Sequence, residues 1–429
     1  MIRTRTLRLT LVVGAGIAIA LCAVATSTAA LSPPATSALD WLEDQIAANG
    51  HHLVRASVDG NGDFAPEDDV GLTIDALLAF AAAGRSSDAE VQAAADWVVA
   101  HAPDYVSGAS IGDADDSRYA GELGKFLLFT QVFDRDAGDA ESDLRGLMAS
   151  NGRFVDRSDF GDLSQGVKQA IDVLALAHTD GGAPSKSVDY LLLQQCPAGG
   201  FRIQLADTQC ANNADADLDA TSFALMALRT LGDDDAFDDG AAYLLSQQTA
   251  DGGFGGNANS TGLAGSVLQR ANAADFVQSL QLTSGDDAGA ILLDEDGHDA
   301  AVADGLDDAT RTIATRATSQ GALAFGLPAY DRIGAAAPPT TTTTTIAGAT
   351  TTSTTTTSTT TSTSVVASTT TTTGRPPSTT TTTSAARALA ARTGANSGDE
   401  LLIGGALLVS GAALVTAARR RRIVYPFKK

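Results

Sequence analysis
A chain of 429 residues leaves room for two ordinary domains, but composition withdraws much of that length from any core. The net charge of −23 argues against nucleic acid or an anionic lipid surface as partner. The acid runs at 233–235 and 238–239 sit beside glycines and read as solvated loops.

The chain starts with a basic stretch, Met1 to Arg8, followed by an apolar run from Leu9 to Val24 and the small residues Thr28, Ala29 and Ala30. These are the parts of a secretory signal, expected to cover residues 1–30 and to be cleaved near Ala30, with a retained N-terminal anchor as the rival reading. Cleavage removes Cys22 and leaves Cys196 and Cys210 in an oxidising space, on either side of one loop. A disulfide between them is expected, with free thiols as the alternative. No Cys-x-x-Cys or His cluster accompanies them, so neither zinc nor any other cofactor is expected.

From about residue 38 to residue 330 the chain is built from degenerate copies of one phrase. Its best copies are Tyr190 to Phe201 and Tyr243 to Phe254: an aromatic, an apolar helical run, two glutamines, then Gly-Gly-Phe. The two tyrosines, at 190 and 243, stand 53 residues apart, so this is a repeat. Weaker copies begin at Trp41, Trp97, Leu144 and Phe276. Behind each turn comes a second run, as at 70–80, 119–128, 167–176 and 221–228, with apolar residues at three- and four-residue intervals. Gly84 and Gly232 stand where such helices would stop. The expected fold is all-α, about six helical hairpins of roughly 45–55 residues each, spanning residues 31–335. Hairpins that cannot bury their apolar faces alone must stack or close, and no polar end repeats are evident. A closed α/α toroid is therefore expected.

At Pro338-Pro339 the composition changes. Residues 336–386 are almost only Thr and Ser, too poor in apolar surface to repay ordering, and read as a disordered stalk. Residues 387–429 carry an apolar span at 401–418 and then Arg419 to Arg422. Such a span reaches about 27 Å as a helix, enough for a thin bilayer, and the arginines place the tail inside.

The tyrosine–leucine, glutamine, glycine and aromatic spacing resembles the QW-type repeat of squalene–hopene cyclases. The same toroid serves protein prenyltransferase β subunits, complement thioester domains and the cobalamin carriers related to intrinsic factor. The resemblance implies the fold across residues 38–330 and leaves the activity open. The cyclase motif Asp-x-Asp-Asp-Thr-Ala is similar to Asp217-Leu218-Asp219-Ala220-Thr221-Ser222, which implies Asp219 as proton donor but puts Ala220 at the third acid. With 5% aromatics, the chain is poor in the rings a carbocation cavity needs. The bland reading makes Asp217 and Asp219 helix caps, ionised and bonded to backbone N–H groups. A prenyltransferase needs zinc on Asp, Cys and His, and His51, His52, His101, His178 and His298 show no metal spacing. A thioester domain carries Cys-Gly-Glu-Gln, whereas Pro197-Ala198 follow Cys196. Residues 390–394, Ala-Ala-Arg-Thr-Gly, with the apolar span and arginines resemble a degenerate Gram-positive sortase signal, departing at its first two positions. Transfer to the wall would run through Thr393 and Gly394.

Asp59, Asn61 and Asp63 alternate in a Gly-rich turn as calcium ligands do. Phe64 and Val70 stand where an EF-hand needs Gly and Glu, so a solvated turn is expected. The reading for the whole chain is an exported, membrane-anchored and non-catalytic toroid that binds a small ligand or a surface protein at the ring's mouth. Asp75, Glu122, Gln165, Asp219, Thr221 and Ser222 are its candidate ligand residues. A terpene-cyclase-like or prenyltransferase-like enzyme using Asp219, with Asp217 beside it, is the first alternative. A structural spacer or adhesin is the second.

Overall fold
The computed structural model describes residues 30–57, 65–108 and 112–334. The signal-like segment up to residue 29, the turn holding Asp59, Asn61 and Asp63, the Thr-rich tract and the 401–418 span lie outside the described residues. Among the described residues no helix is long and apolar enough to cross a membrane.

In chain order the helices are α1 (Pro33–Ala48), α2 (Val70–Ala82), α3 (Ala89–Val106), α4 (Ala120–Phe133), α5 (Ala140–Gly146), α6 (Gly166–Ala177) and α7 (Ser185–Leu192). There follow α8 (Leu218–Leu231), α9 (Asp234–Gln247), α10 (Ala258–Leu268), α11 (Ala271–Ser279), α12 (Glu295–Asp304) and α13 (Asp308–Gly321). The strands are two-residue ladders in the turns, β1 (Val54–Arg55) against β2 (Glu67–Asp68) and β3 (Phe201–Arg202) against β4 (Ala216–Asp217). Acids and amides start the helices: Asp69, Asp217, Asn257, Asp294 and Asp307 each accept a first-turn backbone N–H at 2.8 Å. Asp233, in one of the acid runs, caps α9 in the same way.

The helices alternate between two shells. α2, α4, α6, α8, α10 and α13 each pack on the next, and α13 packs back on α2, so the inner shell closes. The outer helices α3, α5, α7, α9 and α11 each pack on an inner one, and α1 packs on α13. The core lies between the shells, with Leu39, Phe80, Phe129, Phe154, Tyr190, Phe201 and Phe254 fully buried.

The repeated glutamine and glycine have one structural job. Gln195 donates to the Gly199 carbonyl of its own turn at 3.0 Å and to Ala236 of the next outer helix at 2.9 Å. Gln248 does the same with Gly252 (3.0 Å) and the Asn272 side chain (3.2 Å). Gln281 bonds Gly289 at 3.1 Å and Pro34 of α1 at 3.0 Å, joining the last hairpin to the first. The turn glycine has positive φ, +95° at Gly199 and +96° at Gly252, and a Cβ on either would run into a carbonyl of the next outer helix, that of Asp239 or Asn272. Only glycine satisfies both conditions.

The residue after each turn is tied to an inner helix. The N–H groups of Leu53, Phe201, Phe254 and Ile291 donate to the hydroxyls of Thr73, Thr221, Thr261 and Thr318 at 2.8–3.0 Å. Phe154 N–H uses Gln169 Oε1 instead, at 3.0 Å. The chain's last described turn, Tyr330–Arg332, then crosses the ring, touching both α2 and α8, which stand opposite each other. Arg229, near the end of α8, pins it with two bonds of 2.7 Å to Asp331.

Candidate functional site
That crossing turn makes the ring a cup: Tyr330 is its floor and the N-terminal ends of the inner helices are its mouth. Polar side chains gather between the two. Lys125 of α4 pairs with Asp75 of α2 at 2.7 Å. Lys168 of α6 reaches both carboxylate oxygens of Glu122 on α4 at 3.1 Å. Gly121 and Gly124 of α4 make room, since a Cβ at either would collide with the Lys168 or Asp172 side chain. Two ion pairs thus bridge three inner helices in succession.

Lys168 is outnumbered by carboxylates. Burial raises Glu122, against the pull of Lys168, and raises Asp156 for the same reason. Burial would lower Lys168, but the carboxylates of Glu122, Asp156 and Asp172 outweigh it and hold the ammonium charged. Asp172 is fully buried and neither of its oxygens has a partner. Burial, with Asp156 and Glu122 nearby, pushes its carboxyl well above the usual range, against the pull of Lys168.

Asp219, in the first turn of α8, is 8% exposed and its Oδ1 has no partner. Burial and the neighbouring Asp217 push its carboxyl up to about 7, opposed by a hydrogen bond from Ser260 of α10. Asn259 of α10 donates to Gln320 of α13 at 3.1 Å. Phe223 and Tyr330 bring their rings to 6.0 Å of each other. The Tyr330 hydroxyl is buried, unpartnered and raised by burial and by the Asp75 carboxylate.

Of the residues expected at the mouth, Asp75, Glu122 and Asp219 lie inside the ring, all buried. Thr221 and Ser222 spend their hydroxyls on backbone, Thr221 on Phe201 N–H and the Asp217 carbonyl, Ser222 on the Leu218 carbonyl. Gln165 precedes α6 as its cap residue, buried, but its side chain makes no capping bond. The capping expectation holds for Asp217, which accepts Ala220 N–H at 2.8 Å. It is corrected for Asp219, which lies two residues past that cap, leaves its Oδ1 without a partner and is raised, not lowered. Cys196 and Cys210 form a disulfide. Among the described residues no three His, Cys, Asp or Glu side chains converge as a metal set. Four of the histidines bond near neighbours: His51 to Glu90 and His52 to Asp68, His101 to the Trp97 carbonyl and His178 to that of Leu174. A surface depression of about 600 Å³ beside Ser185, Asp189 and residues 231–235 lies outside the ring, away from this cluster.

Lys125, Lys168 and Asp172 are site residues that the sequence reading passed over. They had a signal: charges set three or four residues apart inside otherwise apolar helical runs.

No family model matches the chain, and no curated protein matches it in sequence. Solved structures similar to it include type II terpene cyclase MstE from Scytonema, at 14% identity and TM-score 0.47, covering 68% of this chain and 96% of that one. A variant of the same cyclase, in complex with geranylgeranyl dihydroxybenzoate, is similar at TM-score 0.45 and 14% identity, over 68% and 95% of the two chains. Unsaturated glucuronyl hydrolase from Streptococcus agalactiae is similar at 12% identity and TM-score 0.42, over 68% and 90%. At such scores no residue role passes from them to this chain.

Proposed function
We propose that the ring is a small-molecule binding module whose ligand enters between the N-terminal ends of the inner helices and settles above Tyr330. One observation supports this reading: Asp75–Lys125 and Glu122–Lys168 are ion pairs inside the ring, where apolar side chains of similar size would be at least as stabilising. Charges held at such a desolvation cost suit recognition of a ligand better than stability. Display outside the cell belongs to the same proposal, resting on the signal-like residues 1–30, the 336–386 tract, the 401–418 span and Arg419 to Arg422. Protease treatment of intact cells should then release a fragment ending within the Thr-rich tract.

A second reading has its own support. Asp219 is a buried carboxyl, titrating at about 7 with one oxygen unpartnered, which is what a general acid requires. In that reading Asp219 protonates an isoprenoid, as the motif resemblance implies. One experiment separates them. The purified protein is heated with a panel of small metabolites and polyisoprenoids, and each mixture is also checked for products by mass spectrometry. Under the binding reading, one chemical class raises the Tm without forming product, and the double variant Glu122→Gln, Lys168→Met abolishes the rise. A cyclised product that disappears in Asp219→Asn would establish the enzyme instead. No binding and no product would leave a structural spacer.

A further inference from the structure
Buried polar atoms without partners are costly, on the order of 1–3 kcal/mol each, and the ring holds several. Asp219 Oδ1, Asn257 Nδ2 and Tyr330 Oη are among them, on residues that are 8%, 3% and 3% exposed. Two of the residues that carry these atoms meet at Ser260. The Ser260 hydroxyl bonds the Asp219 carboxyl, and its backbone N–H donates to Asn257 Oδ1 at 2.8 Å. The second bond also fixes the amide: Oδ1 is the acceptor that caps α10, so Nδ2 is the unused donor. Nδ2 lies beside Gly255, where a Cβ would sit 3.4 Å from it and 2.9 Å from the Leu218 side chain at the start of α8. The amide therefore lies near the start of α8, whose first turn carries Asp219. One turn further down α8, Phe223 faces the Tyr330 ring at 6.0 Å, leading from mouth to floor.

We propose that Asp219, Asn257, Phe223 and Tyr330 form a subsite for a neutral amphiphile: a carbonyl or hydroxyl taken by Asn257 and Asp219, and a short apolar body laid on Phe223. The inference rests on the reading of the ring interior as a ligand site and names the ligand class. A carboxylate is disfavoured there, because Asp217 and Asp219 stand side by side at the start of α8. Below pH 7 the Asp219 carboxyl is a second donor, so an acceptor group on the ligand satisfies both orphans at once.

The test uses N-butylacetamide as probe, with butyrate and butylammonium as charged controls, against the isotope-labelled protein at pH 6. The expected result is saturable binding of the neutral probe that moves the Asn257 side-chain NH₂ signals. Asn257→Ser keeps the helix cap but removes the donor, and should weaken binding about fivefold, the worth of one neutral hydrogen bond. Asp219→Leu keeps a similar size, removes the donor and should weaken binding at pH 6 by a similar factor. Unmoved Asn257 signals, equal affinity in Asn257→Ser, or a long-lived water on the amide that the probe does not displace would each overturn the subsite. Binding that moves only signals of Lys125 and Glu122 would overturn the subsite and leave the cup standing as a ligand site. No response anywhere to any of the three probes overturns the subsite, while the metabolite panel still decides the cup.

Discussion

Asp172 and Asp219 are two buried carboxyls on inner helices, and both are raised, so both tie stability to pH with the same sign. A group whose folded value lies above its unfolded value of about 3.9 contributes stability that is full below pH 4 and lost as pH rises through the folded value. For Asp219 that window runs from about pH 4 to about 7; for Asp172 it likewise runs upward from about pH 4, since burial beside Asp156 and Glu122 holds its carboxyl well above the usual range. Asp172→Asn should therefore lie within about 1 kcal/mol of wild type at pH 5 and be the more stable of the two at pH 9. Urea unfolding at both pH values checks this, and a variant that loses stability equally at pH 5 and 9 would mean that Asp172 is ionised throughout. Asp219→Asn should likewise flatten the pH dependence below 7, and a ¹³C titration of the Asp219 carboxyl should find its midpoint near 7 and not in the usual carboxylate range. A midpoint near 4 would remove Asp219 as an acid and restore the capping reading.

At the scale of the repeat, the glycine of the turn carries two constraints that substitution can separate. Gly252 has positive φ and its missing Cβ faces the Asn272 carbonyl; Gly256 has positive φ and faces open space. Gly256→Ala should cost about 1–2 kcal/mol, the penalty of a left-handed residue, and Gly252→Ala clearly more, because the next outer helix must also move back. Equal losses in denaturant midpoints would show that the close approach is unimportant. The repeated turn glycines, Gly199 and Gly252, were plain in the sequence because the need for glycine leaves no substitute, and the paired glutamines were plain because each copy meets its partners at the same place in the turn. The inner helices α2, α4, α6 and α8 were legible for a different reason: their buried residues include Leu, Ile, Val and Phe at helical spacing. α13 was not. Its buried residues are Thr312, Ala314, Thr315, Ala317, Thr318, Ser319, Gln320 and Gly321, and it hides its hydroxyls by bonding its own backbone, as Thr318 does with Ala314 at 2.7 Å. An apolar period cannot register a face made this way. Asn257 and Tyr330 escaped notice similarly, one reading as an ordinary turn residue after Gly-Gly and the other lying past the last repeat. Asp219 was found, but its local setting suggested a cap, and its burial inside the ring, with the charge of Asp217 beside it, is what raises it.

At the scale of the whole molecule, the question is whether six stacked hairpins behave as a ring or as a rod whose ends happen to meet. In a rod each hairpin answers only to its sequence neighbours, and the end hairpins lose half their support. Here α13 packs on α2, α1 packs on α13, and Trp41 of α1 donates its indole N–H to Asp287 at 3.1 Å. The repeated glutamine offers an internal standard for this seam. Gln195 and Gln248 join hairpins adjacent in sequence, while Gln281, with the same pair of bonds, joins the last to the first across 247 residues. Truncation to alanine removes two hydrogen bonds at each place and leaves buried carbonyls unpaired, so a cost of about 1–3 kcal/mol is expected at Gln195 and Gln248 in either architecture. The architectures differ only at Gln281. If the ring is closed in solution, Gln281→Ala should cost as much as the other two, to within ~0.5 kcal/mol. If the seam opens, the Pro34 bond is absent in the folded state and Gln281→Ala should cost less than half as much. Denaturant unfolding of the three single variants, with the slope held to the wild-type value, decides the matter. A weak effect at Gln281 alone would also undermine the cup, because Tyr330 reaches its place over α2 and α8 only when the last hairpin is docked against the first.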